Sequence, residues 1–231
     1  MPQDQAMRAA RAGAVELVIF DCDGVLVDSE AATCGLCAQA AREAGMMVSD
    51  EDSIETFSGM ALPLIRRMIE QKTGTTLAPD WAAMMQARFV AAMEKGAKPV
   101  TGVYAMLDAV RAMGLPMRVG TNSSMEEMAV KFAATNLGPY FGDRVHSAVD
   151  VGAPKPRPDI YLTAARQEGV APQACVVLED SLPGAQAALA AGMTCVMLVE
   201  PGKTPPELPG VLRIEHLSEF PAVLERLNGQ G

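Results

Sequence analysis

The chain has 231 residues, 49% hydrophobic and 20% charged, which excludes a disordered or fibrous protein and allows one large domain or one domain carrying an insert. A formal charge of −9 with no dense lysine and arginine run excludes a nucleic-acid surface but not a small phosphorylated ligand, which needs only a few local donors. No apolar stretch reaches the roughly 20 residues that span a bilayer, and the first fourteen residues carry two arginines but no apolar h-region, so a cytoplasmic protein without membrane contact is expected.

Val15-Glu16-Leu17-Val18-Ile19-Phe20 is a short, nearly continuous apolar run, the pattern of a strand covered on both faces. It ends at Asp21-Cys22-Asp23-Gly24, two carboxylates at alternate positions beside a core. From about residue 32 to 98 no strand pattern follows, and helical segments are predicted over 31–44, 62–72 and 81–95. Trp81, Met84, Met85, Phe89 and Met93 recur at helical spacing and read as core. Cys34 and Cys37 make a Cys-x-x-Cys pair, but zinc needs two further ligands and the histidines are only His146 and His216. In an alanine-rich helical stretch the two cysteines read as small buried hydrophobes.

Beyond residue 98 the rhythm changes. Val103, Leu107 and Val110 share one face of a helix that Gly114 and Pro116 close. Residues 117–120, 175–178 and 194–198 repeat the buried-strand pattern. Ser123 and Ser124, with Glu126 and Glu127, offer two overlapping capping boxes for a helix running to Gly138. Further helices are expected from Pro158 to Gly169, over 184–191, and near 221–227 after a loop from Gly202 to Gly210. Strands alternating with helices predict an α/β fold: a Rossmann-like parallel sheet core from residues 1–31 and 99–231, with an inserted α-helical cap at 32–98.

In open parallel sheets ligands bind at the carboxyl ends of the strands. The loops there carry Asp21 and Asp23, then Thr121, Asn122 and Ser123, then Lys155 between prolines, then Glu179 and Asp180. Four converging carboxylates need a counter-charge, and a hard divalent cation such as Mg²⁺ supplies it while leaving positions for water and phosphate. Helix N-terminal amides, the hydroxyls of Thr121 and Ser123, and the ammonium of Lys155 suit the other phosphate oxygens. The set fits phosphoryl transfer through an aspartyl-phosphate.

The segments Asp21-Cys22-Asp23-Gly24-Val25-Leu26-Val27-Asp28-Ser29-Glu30, Thr121-Asn122, Lys155-Pro156-Arg157-Pro158-Asp159 and Leu178-Glu179-Asp180-Ser181 resemble the four motifs of the haloacid dehalogenase-like hydrolases. They stand in the expected order over about residues 15–200. The resemblance is to the branch with a helical cap after the first motif, which contains β-phosphoglucomutase and many sugar-phosphate phosphatases; the first motif is most similar to the 6-phosphogluconate phosphatase type. It implies that Asp21 is the nucleophile and that Asp23 is the acid and then the base. It implies Mg²⁺ held by Asp21, Asp180 and the main-chain carbonyl of Asp23, with Glu179 as ligand or support. Thr121, the Asn122 amide and Lys155 would bind phosphate, and Gly24 would let the chain turn tightly beside it. Asp28 and Glu30 read as solvated or helix-start acids, Arg157 as a surface residue and His146 as a satisfied strand residue. Ser181 reads either as a helix cap or as a ligand contact.

Asp23 argues against dehalogenation, since a departing halide needs no proton. β-Phosphoglucomutase-like chains usually carry an arginine shortly after the glycine matching Gly59, and often a histidine after the Asp-Ser-Glu segment. Here Met60, Ala61, Leu62 and Pro63, and Ala31, Ala32 and Thr33, stand in those places. The expected function is therefore a Mg²⁺-dependent phosphatase of a small phosphorylated metabolite, a sugar or sugar-acid phosphate, working as a monomer. The alternatives are a phosphomutase, which would yield an isomeric sugar phosphate, and a non-catalytic phosphometabolite-binding protein, which has no use for Asp23. Arg66, Arg67, Lys72 and Arg88 are candidate substrate contacts, with solvated helix charge as the simpler reading of each.

Overall fold

Strand β1 (Leu17–Phe20) is buried along its whole length and sits mid-sheet, hydrogen-bonded in parallel on both sides. The computed structural model describes residues 14–202 and 208–229; the lead-in and part of the Gly202–Gly210 loop lie outside them. After β1 come β2 (Val27–Asp28), then helices α1 (Glu30–Glu43), α2 (Ser53–Phe57), α3 (Leu62–Thr73) and α4 (Trp81–Gly96). The chain re-enters through β3 (Lys98–Pro99), which pairs antiparallel with β2. It continues through α5 (Val103–Ala112), β4 (Met117–Thr121), α6 (Met125–Thr135), α7 (Gly138–Phe141), β5 (Val145–Ser147), α8 (Ala148–Val151) and α9 (Asp159–Glu168). Last come β6 (Cys175–Glu179), α10 (Leu182–Ala190), β7 (Thr194–Leu198), β8 (Leu212–Ile214) and α11 (Phe220–Asn228).

The main sheet runs β5-β4-β1-β6-β7-β8, every pair parallel. From β1 the chain builds outward to β4 and β5, then crosses back to place β6 on the other side of β1. This reversal opens a crevice at the carboxyl ends of β4, β1 and β6, where a doubly wound sheet binds its ligands. Two apolar clusters cover the sheet faces: one includes Phe20, Leu107, Val119 and Phe220, the other Ile19, Tyr161, Val177 and Ala188. A third cluster, with Cys37, Ile69, Trp81 and Met85, lies among α1–α4. Trp81, Met85, Phe89 and Met93 are buried as the stripe predicts, but Met84 is 42% exposed. The spacing of Met84 matches the stripe only loosely, one residue before Met85, which turns it off the packed face.

Several elements are too short to show in the sequence pattern, among them β2, β3, β8, the short helix α2 and the single-turn helices α7 and α8. Helix α6 stops at Thr135, short of Gly138, because Asn136 turns to φ +52°. Of the two possible capping boxes only Ser124 with Glu127 forms. Ser123 is used elsewhere.

His146 on β5 is buried, and its Nε2 accepts from Nη1 of Arg118 at 3.0 Å; Arg118 is itself held by Glu168 at 2.7 Å. Burial, then the adjacent guanidinium, lower the imidazole below its usual 6.5. The unfolded chain therefore binds this proton before the folded one does, and folding stability falls as pH drops below about 6.5. In urea unfolding from pH 7 to 5, His146→Gln is expected to lose less stability than the parent, by at most about 1.4 kcal/mol per pH unit.

Candidate active site

Asp21 follows β1 directly, and its N–H donates to the Leu178 carbonyl at 2.9 Å, which fixes it against β6. Its carboxylate is 2.7 Å from Nζ of Lys155, and the same ammonium reaches Glu179 Oε1 at 2.6 Å. Lys155 is 2% exposed and arrives on a loop tied in place by its own N–H, which donates to Asn122 Oδ1 at 3.0 Å. Tyr161, on α9, donates to Glu179 Oε1 at 2.7 Å and lays its ring 5.1 Å below the ammonium. Burial first, then Glu179, push Asp21 up to about 7, although Lys155 pulls it down.

Both Glu179 oxygens are taken. Besides Lys155 and Tyr161 on Oε1, Oε2 accepts from the N–H groups of Asp180 and Ser181 at 3.0 Å and from the Ser181 hydroxyl at 2.9 Å. Burial works against its charge, but Lys155 and these donors hold Glu179 below the ordinary carboxylate range. Room for it exists because residue 184 is glycine: a Cβ there would lie 1.7 Å from Glu179 Oε1. Ser181 also accepts from the Gly184 N–H at 3.2 Å, so it caps α10 and lines the cavity at once.

Oxygens of Asp21, Glu179 and Asp180 lie within 4.8 Å of one another. Oδ1 of Asp180 is buried without a hydrogen-bond partner, an arrangement that costs a few kcal/mol unless something else meets it. Burial, then the carboxylates Glu30, Glu179 and Asp21, raise Asp180 well above its normal value. An all-oxygen, negatively charged set with one orphaned buried acceptor suits a hard divalent cation.

Gly24 is placed by Asp180 as well. It has φ +78°, and a Cβ on it would fall 1.8 Å from Asp180 Oδ2. The tight turn thus makes room for a carboxylate of the site. Gly24→Ala is expected to displace Asp180 and cost about 1–2 kcal/mol for the left-handed backbone. Turnover should drop about 100-fold, the scale of an ångström-sized misplacement; phosphate release and urea unfolding check both.

Asp23 is held by Lys131, which no motif marks, and by the hydroxyls of Ser29 and of Ser123, the latter expected to meet phosphate. Lys131 Nζ lies 2.6 Å from its Oδ1, Ser29 donates to the same oxygen, and Ser123 donates to Oδ2 at 2.8 Å. Lys131 is fully buried on α6 and also donates to the Ser123 hydroxyl at 2.8 Å. Burial opposes the charge on Asp23, but Lys131 and the two hydroxyls hold it below the usual carboxylate value. The inward face of α6 is Glu127, Met128, Lys131 and Thr135, so no apolar stripe marks Lys131 as buried; its packing beside the first motif does.

The remaining candidates fall as follows. Thr121 is buried at the end of β4, and its hydroxyl accepts from the Ser123 N–H at 3.1 Å. Asn122 donates through Nδ2 to the Gly59 carbonyl at 3.3 Å, joining the sheet edge to the helical layer. Asp28 is exposed, and Arg157 pairs with Asp159 at the surface. Glu30 is more than a solvated acid: it accepts from Ser58 and lines the cavity. Arg66, Arg67, Lys72 and Arg88 do not line it. Cys34 and Cys37 are buried free thiols, pushed up by burial, Cys37 to about 12.

Residues 15–192 match the profile of the haloacid dehalogenase-like hydrolases. The chain belongs to that family. It is 31% identical over 209 residues to the 6-phosphogluconate phosphatase of Escherichia coli, covering 90% of this chain and 93% of that one. Among solved structures, a haloacid dehalogenase-like protein of Agrobacterium tumefaciens shares 32% identity and a TM-score of 0.75, over 92% of this chain and 98% of that one. A family hydrolase of Deinococcus radiodurans, solved with bound phosphate and sodium, shares 31% identity and a TM-score of 0.70, over 94% and 97%. This haloacid dehalogenase-like chain is a phosphoric monoester hydrolase acting on a small phosphorylated metabolite. Among the described residues no helix is long and apolar enough to cross a membrane.

Proposed function

We propose that the protein is a Mg²⁺-dependent phosphatase of sugar or sugar-acid phosphates that works through an aspartyl-phosphate on Asp21. One observation carries this reading: a buried carboxylate, Asp21, shares an ammonium with Glu179 and faces a cavity that Asp23 also lines. Asp21 attacks phosphorus, so an Asp21 O–P bond forms as the ester P–O bond breaks, and the departing oxygen takes a proton from Asp23. Water then attacks phosphorus as the Asp21 O–P bond breaks and the carboxylate is restored; the water's proton goes to Asp23, and inorganic phosphate leaves. Thr121, the Asn122 N–H and Lys155 bind the phosphate oxygens, and Lys155 offsets the charge that Asp21 shares with them.

Asp21, Asp180 and the main-chain carbonyl of Asp23 would hold Mg²⁺. With both oxygens engaged by protein donors, Glu179 aims the Asp180 backbone and Lys155 rather than binding the ion itself. When bound, the ion neutralises charge building on the transferring phosphoryl group. Asp23 serves as the acid by turning from Lys131 into the cavity, where the substrate's own negative charge raises its affinity for a proton. The helices of residues 30–96 act as the cap over this chemistry, and the chain acts as a monomer in the cytoplasm.

The test is phosphate release from a set of phosphosugars with and without EDTA. Release should stop with the chelator and return on adding excess Mg²⁺; activity that survives chelation sinks the metal reading. Conversion of a sugar phosphate to its isomer without free phosphate would favour the mutase instead.

A further inference from the structure

Resting on the phosphatase reading, we propose that the alcohol released from the ester is uncharged and hydroxyl-bearing, with one apolar side. The preferred substrates are then monophosphates of neutral polyols or sugars, not phosphorylated acids or bisphosphates. The observation is the composition of the cavity wall opposite Asp21. The cavity holds about 370 Å³, the scale of a compact metabolite. Two lysines reach it from the sheet side, and both are engaged, Lys131 with Asp23 at 2.6 Å and Lys155 with Asp21 at 2.7 Å.

From the helical side no lysine, arginine or histidine lines it among the described residues. Three arginines of that layer are paired away from the cavity, and the fourth, Arg67, does not line it. Arg66 binds Glu70 at 3.1 Å and the Leu77 carbonyl at 2.8 Å, Arg88 faces Glu43 at 3.6 Å, and Arg42 faces Asp50 at 2.9 Å. What the helical wall offers a ligand is the Glu30 carboxylate, the Gln86 carboxamide and the Thr33 hydroxyl, set among Met60, Leu62 and Phe89.

A second phosphate or a carboxylate on the leaving group would lose its water against Met60, Leu62 and Phe89, with no lysine, arginine or histidine of the helical wall to meet it. Desolvation and like charge act in the same direction, against binding. Hydroxyl groups find the opposite. The carboxylate and the carboxamide oxygen accept from them, the carboxamide N–H donates to them, and the C–H face of the same molecule covers the apolar side chains. This separates the chain from its 6-phosphogluconate phosphatase relative, whose substrate ends in a carboxylate.

The experiment measures kcat/KM of the full chain with Mg²⁺ on three matched compounds and a reference ester. The three are a hexitol monophosphate, an aldonic acid monophosphate of equal length and a hexose bisphosphate; p-nitrophenyl phosphate is the reference. The neutral compound is expected to exceed the acid and the bisphosphate at least tenfold. In Gln86→Lys, checked for folding by its melting curve, the acid should gain at least tenfold relative to the neutral compound, and Glu30→Gln should narrow the same ratio. Equal or better turnover of the acid or bisphosphate by the parent, with the reference ester hydrolysed, overturns the inference. So does an unmoved ratio in both folded variants. Failure on the reference ester as well as all three compounds overturns the phosphatase reading itself.

Discussion

Asp21→Asn should reduce phosphate release by at least about 10⁴-fold while leaving the protein folded and at least as stable as the parent. The loss is large because the amide cannot attack phosphorus and no neighbouring carboxylate can take over. Glu179 has both oxygens held by donors, Asp180 stands behind Gly24, and Asp23 must give its proton to the departing oxygen and so cannot be the nucleophile as well. The stability half is just as specific. Asp21 shares a buried site with Glu179 and Asp180, and burial and Glu179 already push it up to about 7. Asn keeps the shape and removes one of the crowded charges, so urea unfolding of chelator-treated protein should show no loss. Residual turnover within about tenfold of the parent would remove Asp21 from the role of nucleophile.

Lys155→Met has the opposite profile. It should cost about 3–5 kcal/mol of folding stability, the usual result of removing one partner from a buried ion pair, as well as turnover. Typical domains have only about 5–15 kcal/mol in total, so this variant is expected to unfold at far lower urea. The reason is in the geometry: Lys155 is the ammonium shared by Asp21 at 2.7 Å and Glu179 at 2.6 Å, all three buried. Lys155→Arg should not rescue it, because a planar fork does not fit a point-charge site packed against the Tyr161 ring. Adding Glu179→Gln should recover part of the loss, since it removes one of the stranded charges. A double variant no more stable than Lys155→Met alone would show that the two do not act as a pair.

That the candidate residues share one place was legible because they are chemically expensive. Aspartates, a lysine and a glutamate at the ends of buried apolar runs have few explanations besides a shared site, and β1, β4 and β6 bring those run-ends together. Helices with long periodic faces, such as α1, α3 and α4, were legible for the same reason their faces are buried. What stayed hidden was relational. Lys131 sits mid-helix like any solvated lysine, and only the packing of α6 beside the first motif turns it inward to Asp23. The choice of Ser124 over Ser123 as the cap follows from Ser123 being drawn to Asp23 and Lys131. Tyr161 gave no signal because its partner, Glu179, lies one strand away. Glu30 looked like an ordinary acid of a first helical turn until Ser58 and the cavity wall met it.

The small ribbon of Val27-Asp28 against Lys98-Pro99 bears on the ancestry and engineering of the molecule. Its two crossings lie side by side, so everything between them is an excursion that starts and finishes at one address. The sheet order β5-β4-β1-β6-β7-β8 owes nothing to that excursion. Loop closure costs rise only slowly with length, so the stem tolerates an excursion of almost any size. Such a joint can be lengthened, exchanged or cut back to a turn without rewiring the sheet. On the proposed function, the helical layer that would meet the alcohol is thus modular with respect to the sheet residues that would take the phosphate.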